Sequence, residues 1–437
     1  MPDIRPFRAR RFDPSSVGDL GLVVAPPDDV IDPEERRRLV ARHPANVVRL
    51  DLPAEEVGDA PDDRYRRAAR TLAGWRSDGT LRKDPHPSLY VYEQTYRVPG
   101  TDVERTQRGF FARLRLEPYG TEGGVLPHER TLSAPKEDRY KLLRATGVNT
   151  SPVVGLYDDA ARSVPGLLGE VTARAAGVDL TDDGVRHRLW AITADGTGRD
   201  GEIAGGLMVA AARGPVTIAD GHHRYETALR YRDERRMTRS CEEDPAFDYL
   251  LMLFLEATEP LTVLPTHRLV RGAGQAASGL LERVGELFDV EPISSADELV
   301  AETRARALES GGKGRFGLWT RDGGARLTAR RAALRPELPP GGDALRHLDV
   351  TVLGAALERL VGLDAEAVAS GAVGYTKSAD EAVAAVETGD ADAAFLLEPT
   401  PVASIEAVAR DGDVMPQKST YFYPKALTGL VINPHEW

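Results

Sequence analysis

Hydrophobic spacing along the chain sketches an alternation of strands and helices. Leu20-Gly-Leu-Val-Val-Ala25 is a short apolar run that predicts a buried strand, stopped by Pro26-Pro27. Asp32 then stands as an N-cap, with Pro33 at the first helical position and Glu34 and Glu35 in the first turn. That grouping predicts a helix to about His43. Tyr65, Ala68, Ala69, Leu72 and Trp75 fall on one stripe of a second helix, from Asp62 to Trp75. Ser88 to Val98 and Gly109 to Glu117 read as two strands around a turn at Pro99-Gly100. Ser133, Pro135 and Glu137 open another helix, which ends at Gly147. A short apolar strand, Gly214 to Ala219, runs through Asp220-Gly221 into a helix from His222 to about Arg236.

Past Thr258, Ala- and Glu-rich helical segments (about 275–288, 296–309, 343–361 and 378–387) surround short strands such as Phe316–Thr320 and Ala393–Leu397. Glu337-Leu-Pro-Pro-Gly-Gly342 marks a break. The expected fold class is α+β. Residues 1–260 are expected to form a phosphate- or nucleotide-binding core, and residues 261–437 a helix-rich α/β domain whose C-terminal segment returns to the site.

Composition narrows the function classes. The 437 residues are 41% hydrophobic and 28% charged, and 56 basic against 68 acidic residues give a net charge of −12. This diffuse acidity disfavours direct nucleic-acid binding. The single cysteine, Cys241, excludes an internal disulfide or a multi-cysteine metal site. No apolar run approaches the ~20 residues of a membrane span, and the N-terminus lacks the apolar stretch of a signal peptide. A cytoplasmic protein without a membrane partner is expected. Only seven basic residues are lysine, and a compact ammonium suits a phosphate oxygen, so each is worth inspecting; two of them, Lys418 and Lys425, flank hydroxyls and aromatics that could close over a nucleotide or substrate.

The densest chemistry lies in Thr217-Ile-Ala-Asp-Gly-His-His-Arg-Tyr-Glu-Thr-Ala-Leu229. A strand would deliver the chain to Gly221, which permits a tight turn and close ligand approach. The helix that follows would aim its first N–H groups and its positive dipole end back at that turn. His222, His223 and Arg224 would add side-chain donors for a phosphate. Asp220 could hold Mg²⁺ or accept a hydroxyl proton, and Glu226 could orient the His222 ring. The bland alternative is a helix start with a surface charge cluster. A rival pattern, Gly196-Thr-Gly-Arg-Asp-Gly201, matches a dinucleotide loop, but Gly205-Gly206 is expected to interrupt the required helix and leave a polar turn. Nucleotide P-loop, zinc-helix and serine-elbow motifs are absent from the sequence.

Other segments add candidates. Pro127-His-Glu-Arg-Thr131 groups Glu129, a second candidate base, with His128 and Arg130 as phosphate contacts. Lys136 and Arg139 could extend a basic pocket, or form a solvated helix face. His267-Arg268 and Lys418 are further anion candidates, and Asp28 or Asp29 could line an acceptor pocket.

The segment Ala219–Leu229 resembles the signature of the DUF1015 family of bacterial and archaeal proteins. The resemblance extends to Ile4-Arg-Pro-Phe-Arg8, Val24-Ala-Pro-Pro27, Asn46-Val-Val-Arg-Leu50, Pro135-Lys-Glu-Asp-Arg139 and Met415–Lys425. The family usually has Tyr in its Pro-Pro-Tyr-Asp-Val turn, where this chain has Asp28. The Asp-Gly-His-His-Arg signature is in turn similar to the phosphate-binding turn of the ParB/sulfiredoxin superfamily, which includes free-serine kinases. That similarity implies a mixed-sheet core and a phosphotransferase that moves phosphate from ATP, ADP or pyrophosphate to L-serine, with Mg²⁺. It also admits a nucleotide-binding regulatory module, and the same cradle with water as acceptor would make a phosphohydrolase.

Overall fold

The strand pair expected around Pro99-Gly100 forms the middle of the largest sheet among the described residues. The structure is a computed structural model that describes residues 1–120, 124–129, 133–238, 243–272, 279–306 and 314–437. Arg130 and Cys241 lie outside the described residues. The chain divides into two compact units: Met1–Pro127, Thr131–Leu261 and Pro424–Trp437 in the first, His128–Arg130 and Thr262–Tyr423 in the second.

Among the described residues, the first unit carries a nine-stranded mixed sheet. Its strands are β1 (Ile4–Arg5), β2 (Ser88–Arg97), β3 (Glu104–Arg115), β4 (Val125–Leu126), β5 (Val153–Tyr157), β6 (Val178–Asp182), β7 (Val185–Thr193), β8 (Val216–Asp220) and β9 (Tyr249–Glu256). They lie in the order β4-β8-β5-β9-β3-β2-β7-β6, with β1 added beside β3. The β4–β8 and β5–β9 pairs are parallel and the others antiparallel. β9 is buried at every position, through the apolar run Tyr249–Leu255 and at Glu256, and Phe254 stacks on Phe110 of β3 at 5.1 Å between centroids.

Helices α1 (Pro33–Arg42), α2 (Val48–Asp51), α3 (Asp63–Ser77), α4 (Ser133–Thr146), α5 (Gly198–Ala211) and α6 (His222–Thr238) belong to this unit. The Asp32 side chain accepts from the Glu34 and Glu35 amides, as the capping pattern predicts. α4 and α6 are tied by a ladder of ion pairs, Lys136–Glu226, Glu137–Arg230 and Arg144–Glu234.

Two expectations fail locally. Leu20–Leu22 is a 3₁₀ turn rather than a strand, because the Asp19 side chain accepts the Gly21 amide at 2.8 Å and bends the backbone. Ala25 makes only an isolated bridge to Thr428. The helix after Gly196-Thr-Gly198 does form, and α5 runs through Gly205 and Gly206. A Cβ on Gly206 would lie 2.9 Å from Leu167 Cδ1, so the glycine allows a close approach there. The preceding strand β7 is antiparallel to both neighbours, however, unlike the parallel unit of a dinucleotide site.

The last residues belong to the first unit. Arg113, 1% exposed, donates to Asn433 Oδ1 at 2.6 Å and to the carbonyls of Pro434 and Glu436. Upstream in the same segment, the Lys425 carbonyl accepts from Gln94 Nε2, whose own amide oxygen accepts from Gln107.

The second unit carries β10 (His267–Val270), β11 (Phe288–Ile293), β12 (Arg315–Thr320), β13 (Gly323–Ala329), β14 (Val373–Thr376) and β15 (Ala393–Leu396). They form an antiparallel sheet in the order β11-β13-β12-β15-β10-β14. Helices α7 (Ala296–Ala305), α8 (Asp349–Val361) and α9 (Ala379–Thr388) accompany it. The helix expected over 343–361 is broken, with Asp343–Arg346 separate from α8. The described part of 275–288 holds the short helical turn Leu280–Arg283 and a 3₁₀ turn at Val284–Glu286 before β11 starts at Phe288. Among the described residues no helix is long and apolar enough to cross a membrane.

Candidate functional site

The signature turn sits at the end of β8. Register slips between Ile218 and Asp220 against β5, and this bulge re-aims the Asp220 side chain as the strand ends. Gly221 follows at φ +89, a conformation that L side chains avoid. A Cβ there would stand 3.2 Å from Arg224 Cζ and Nε and 3.3 Å from Val153 Cα, so glycine also makes room for the guanidinium folded back over the turn. The first helical bond of α6 runs from the Tyr225 amide to the Gly221 carbonyl. The amides of His222, His223 and Arg224 therefore precede the helix ladder and mark its positive end.

Asp220 is clasped by two cations. Its Oδ1 accepts from Lys425 Nζ at 2.8 Å and its Oδ2 from the Arg224 guanidinium at 3.0 Å. Burial alone would raise its pKa, yet Lys425 and Arg224 hold the carboxyl well below the usual carboxylate range. A base works best with a pKa near the operating pH, so Asp220 is a poor proton acceptor. The expected magnesium role does not fit Asp220 either, because both oxygens already face cations. Among the described residues no group of three or more His, Cys, Asp or Glu side chains is arranged to hold a metal.

The other basic candidates on this unit are engaged. His222 is buried and adds to the positive field on Asp220, while His223 is half-buried. Glu226, expected to orient His222, instead pairs with Lys136 at 2.8 Å. Arg139 lies buried between carboxylates: Nε and one terminal nitrogen grip Asp138, and the other donates to the Asp51 carbonyl at 2.6 Å. The Arg224 guanidinium also donates to the Pro152 carbonyl.

Asp28 and Asp29 titrate above the ordinary range because burial penalises their charge. Asp28 has Arg139 pulling it down and Asp51 pushing it up; Asp29 has Asp220 pushing it up and Lys425 pulling it down. With a raised pKa, the folded protein holds protons that the unfolded chain has released. The resulting stability deficit is present near neutral pH and disappears as pH falls through the raised pKa toward the ordinary value of about 3.9. Asp28→Asn is therefore expected to melt above the parent near neutral pH, with the gap closing on acidification. Melting temperatures of both proteins across that range check this, and a gap that widens in acid contradicts it.

The remaining candidates lie in the second unit. His128 is buried, its Nε2 3.0 Å from Thr420 Oγ1, and Glu129 bridges to Met415. His267 is expected to bind phosphate, but the structure corrects this. Burial pulls its pKa down to about 3, so the ring is neutral, and its Nδ1 accepts the Leu397 amide. Arg268 is also buried, which lowers its pKa to about 10. It donates to the carbonyls of Thr266 and Lys418 and lies 4.7 Å over the Tyr375 ring, the contacts of a structural clamp. Lys418 is held at φ +56.

With the geometry in hand, sequence comparison places the chain. The profile of a family described as "Protein of unknown function (DUF1015)" matches residues 4–351. The chain belongs to this family. Among curated proteins no sequence matches it. Solved structures similar to this DUF1015 chain include a conserved hypothetical protein from Pyrococcus furiosus (14% identity, TM-score 0.32, covering 68% of this chain and 86% of that one). A free serine kinase in complex with AMP is similar at 14% identity and TM-score 0.34, covering 68% and 83%. A variant of a free serine kinase in complex with ADP reaches TM-score 0.35 at 14% identity, covering 75% and 92%.

Sequence reasoning missed Asp51, which carries no motif, and Asp138, which it quoted only within Pro135-Lys-Glu-Asp-Arg139. It noted Lys425 only as a scarce lysine among hydroxyls and aromatics.

Proposed function

We propose that this DUF1015 protein is a small-molecule phosphotransferase built on a ParB/sulfiredoxin-like core, with ATP, ADP or pyrophosphate as donor and an alcohol as acceptor. The observation that carries the reading is the Gly221 turn. There the N-terminus of α6 and the Arg224 guanidinium stand beside a carboxylate paired with Lys425 and within the field of His222. The amides of residues 222–224 and the His223 and Arg224 side chains would bind and orient the donor phosphates. Asp220 would position Arg224 and Lys425 rather than move a proton. Catalysis would then rest on positioning and charge stabilisation, as phosphoryl transfer requires. Asp220, held ionised by its two cations, would not serve as the base.

Incubation with γ-labelled ATP, β-labelled ADP or labelled pyrophosphate and a panel of hydroxyl acceptors, L-serine first, tests this. Label in an acceptor, lost in Arg224→Ala, is the expected result. Label released only as phosphate, without regard to acceptor, makes the protein a hydrolase. Nucleotide bound without any transfer makes it a regulatory module.

A further inference from the structure

In the second unit, the break at Glu337–Gly342 turns the chain back so that two helical turns, Arg331–Leu334 and Asp343–Arg346, line one cavity of about 240 Å³. The break is pinned in place. The Gly342 amide donates to Asp413 Oδ2 at 2.6 Å, and the Gly342 carbonyl accepts the Arg346 amide at 3.1 Å. Arg331 and Arg335 stand four residues apart, and the Arg335 amide donates to the Arg331 carbonyl at 3.0 Å, so both lie on one helical face. Like charges at that spacing repel. Arg346 brings a third guanidinium, which donates to the Arg335 carbonyl at 3.0 Å and lines the same cavity. Among the described residues none of these three arginines pairs with a carboxylate. Asp343 is the acidic side chain of this wall, which leaves the wall a surplus of positive charge. Ala329, Leu334, Leu338 and Val352 supply an apolar floor.

We propose that this cavity binds a small organic phosphomonoester, with its phosphate against Arg331, Arg335 and Arg346 and its carbon body on the apolar floor. A phosphomonoester carries about two negative charges near neutral pH and three terminal oxygens. The charge offsets the surplus on the wall, and the oxygens give each guanidinium fork an acceptor. A carboxylate brings one charge and two oxygens, so it would leave a fork unused. Bound phosphate would also relieve the repulsion between Arg331 and Arg335. The volume lies below the usual range of drug-sized pockets, which limits the carbon body to a small one. This assignment stands apart from the signature turn, because every residue lining the cavity belongs to the second unit.

Calorimetric titration of the full-length protein tests this, with phenyl phosphate, inorganic phosphate, benzoate and benzyl alcohol as probes at matched ionic strength. Arg331 and Arg335 are exposed, so Arg331→Gln and Arg335→Gln leave the core untouched. Arg330→Gln is the control for a diffuse field. It removes the same charge one residue away, from a side chain held by Asp289 and the Gly285 carbonyl. The expected result is binding of phenyl phosphate, weaker binding of inorganic phosphate and benzoate, and none of benzyl alcohol. Arg331→Gln and Arg335→Gln should each weaken phenyl phosphate roughly tenfold or more, and Arg330→Gln should not. Phosphate held at the signature turn would be indifferent to all three substitutions. No binding of phenyl phosphate, unchanged affinity in Arg331→Gln and Arg335→Gln, or equal weakening in Arg330→Gln would each overturn the proposal. Benzoate bound as tightly as phenyl phosphate would overturn the ligand class, and inorganic phosphate bound as tightly would overturn the role of the apolar floor.

Discussion

Arg224→Ala is expected to lower the stability of the protein by about 3 kcal/mol, as removal of one partner from a buried ion pair does. The guanidinium is the link between three features of the turn. It neutralises Asp220, caps the Pro152 carbonyl, and lies against Gly221, where a phosphate would approach. Its loss leaves the half-buried Asp220 carboxylate with Lys425 as its cationic hydrogen-bond partner and leaves Pro152 O without this donor. The same change should remove most of the stabilisation that added pyrophosphate or ADP gives the parent. Denaturant unfolding gives the first quantity, and melting with and without ligand gives the second. A variant as stable as the parent, or one that responds equally to pyrophosphate, would show that the guanidinium does neither job.

Gly221→Val is the second large effect. The backbone there is at φ +89, which costs an L residue roughly 1–2 kcal/mol before any contact is counted. The new Cβ would also press on Val153 Cα, which cannot swing away, and on the Arg224 guanidinium, which can move only by leaving Asp220 or Pro152. Destabilisation of about 2 kcal/mol or more is expected, with loss of the pyrophosphate response even in the fraction that folds. Gly205→Val in the middle of α5 is the control, since a Cβ there meets nothing within 4 Å. It should leave stability unchanged or slightly raised, because valine is a better helix former than glycine, and leave the ligand response intact; equal ligand effects in the two variants would contradict the account.

The parts of the site legible in sequence are those with local causes. The strand-to-helix change at Asp220-Gly221 is written in an apolar run, a glycine and a helical stripe, and β8 and α6 follow it. Asp32 before Pro33 announced its cap in the same way. Where a side chain competed with the backbone, pattern misled: Asp19 turned an apolar run into a 3₁₀ turn. Gly205-Gly206 looked like a helix breaker because the packing against Leu167 that tolerates Gly206 is tertiary. Of the carboxylates near Arg139, Asp28 was already a candidate in the sequence, whereas Asp51 and Asp138 were not. Asp28, Asp51 and Asp138 matter through burial and through Arg139, which joins residues far apart in the chain. Asp28 stands where the family usually has Tyr, so the motif itself pointed away from a carboxylate. His267 erred in the opposite direction: a His-Arg pair suggests an anion site until burial makes the ring neutral.

The account turns on whether the amide end of α6 holds an anion. A crystal structure of the full-length protein grown with ADP decides it most directly. The predicted result is a terminal phosphate within hydrogen-bond distance of the amides of residues 222–224, with the Arg224 guanidinium turned onto its oxygens. ADP bound elsewhere, with Arg224 still locked onto Asp220 and Pro152, would contradict it.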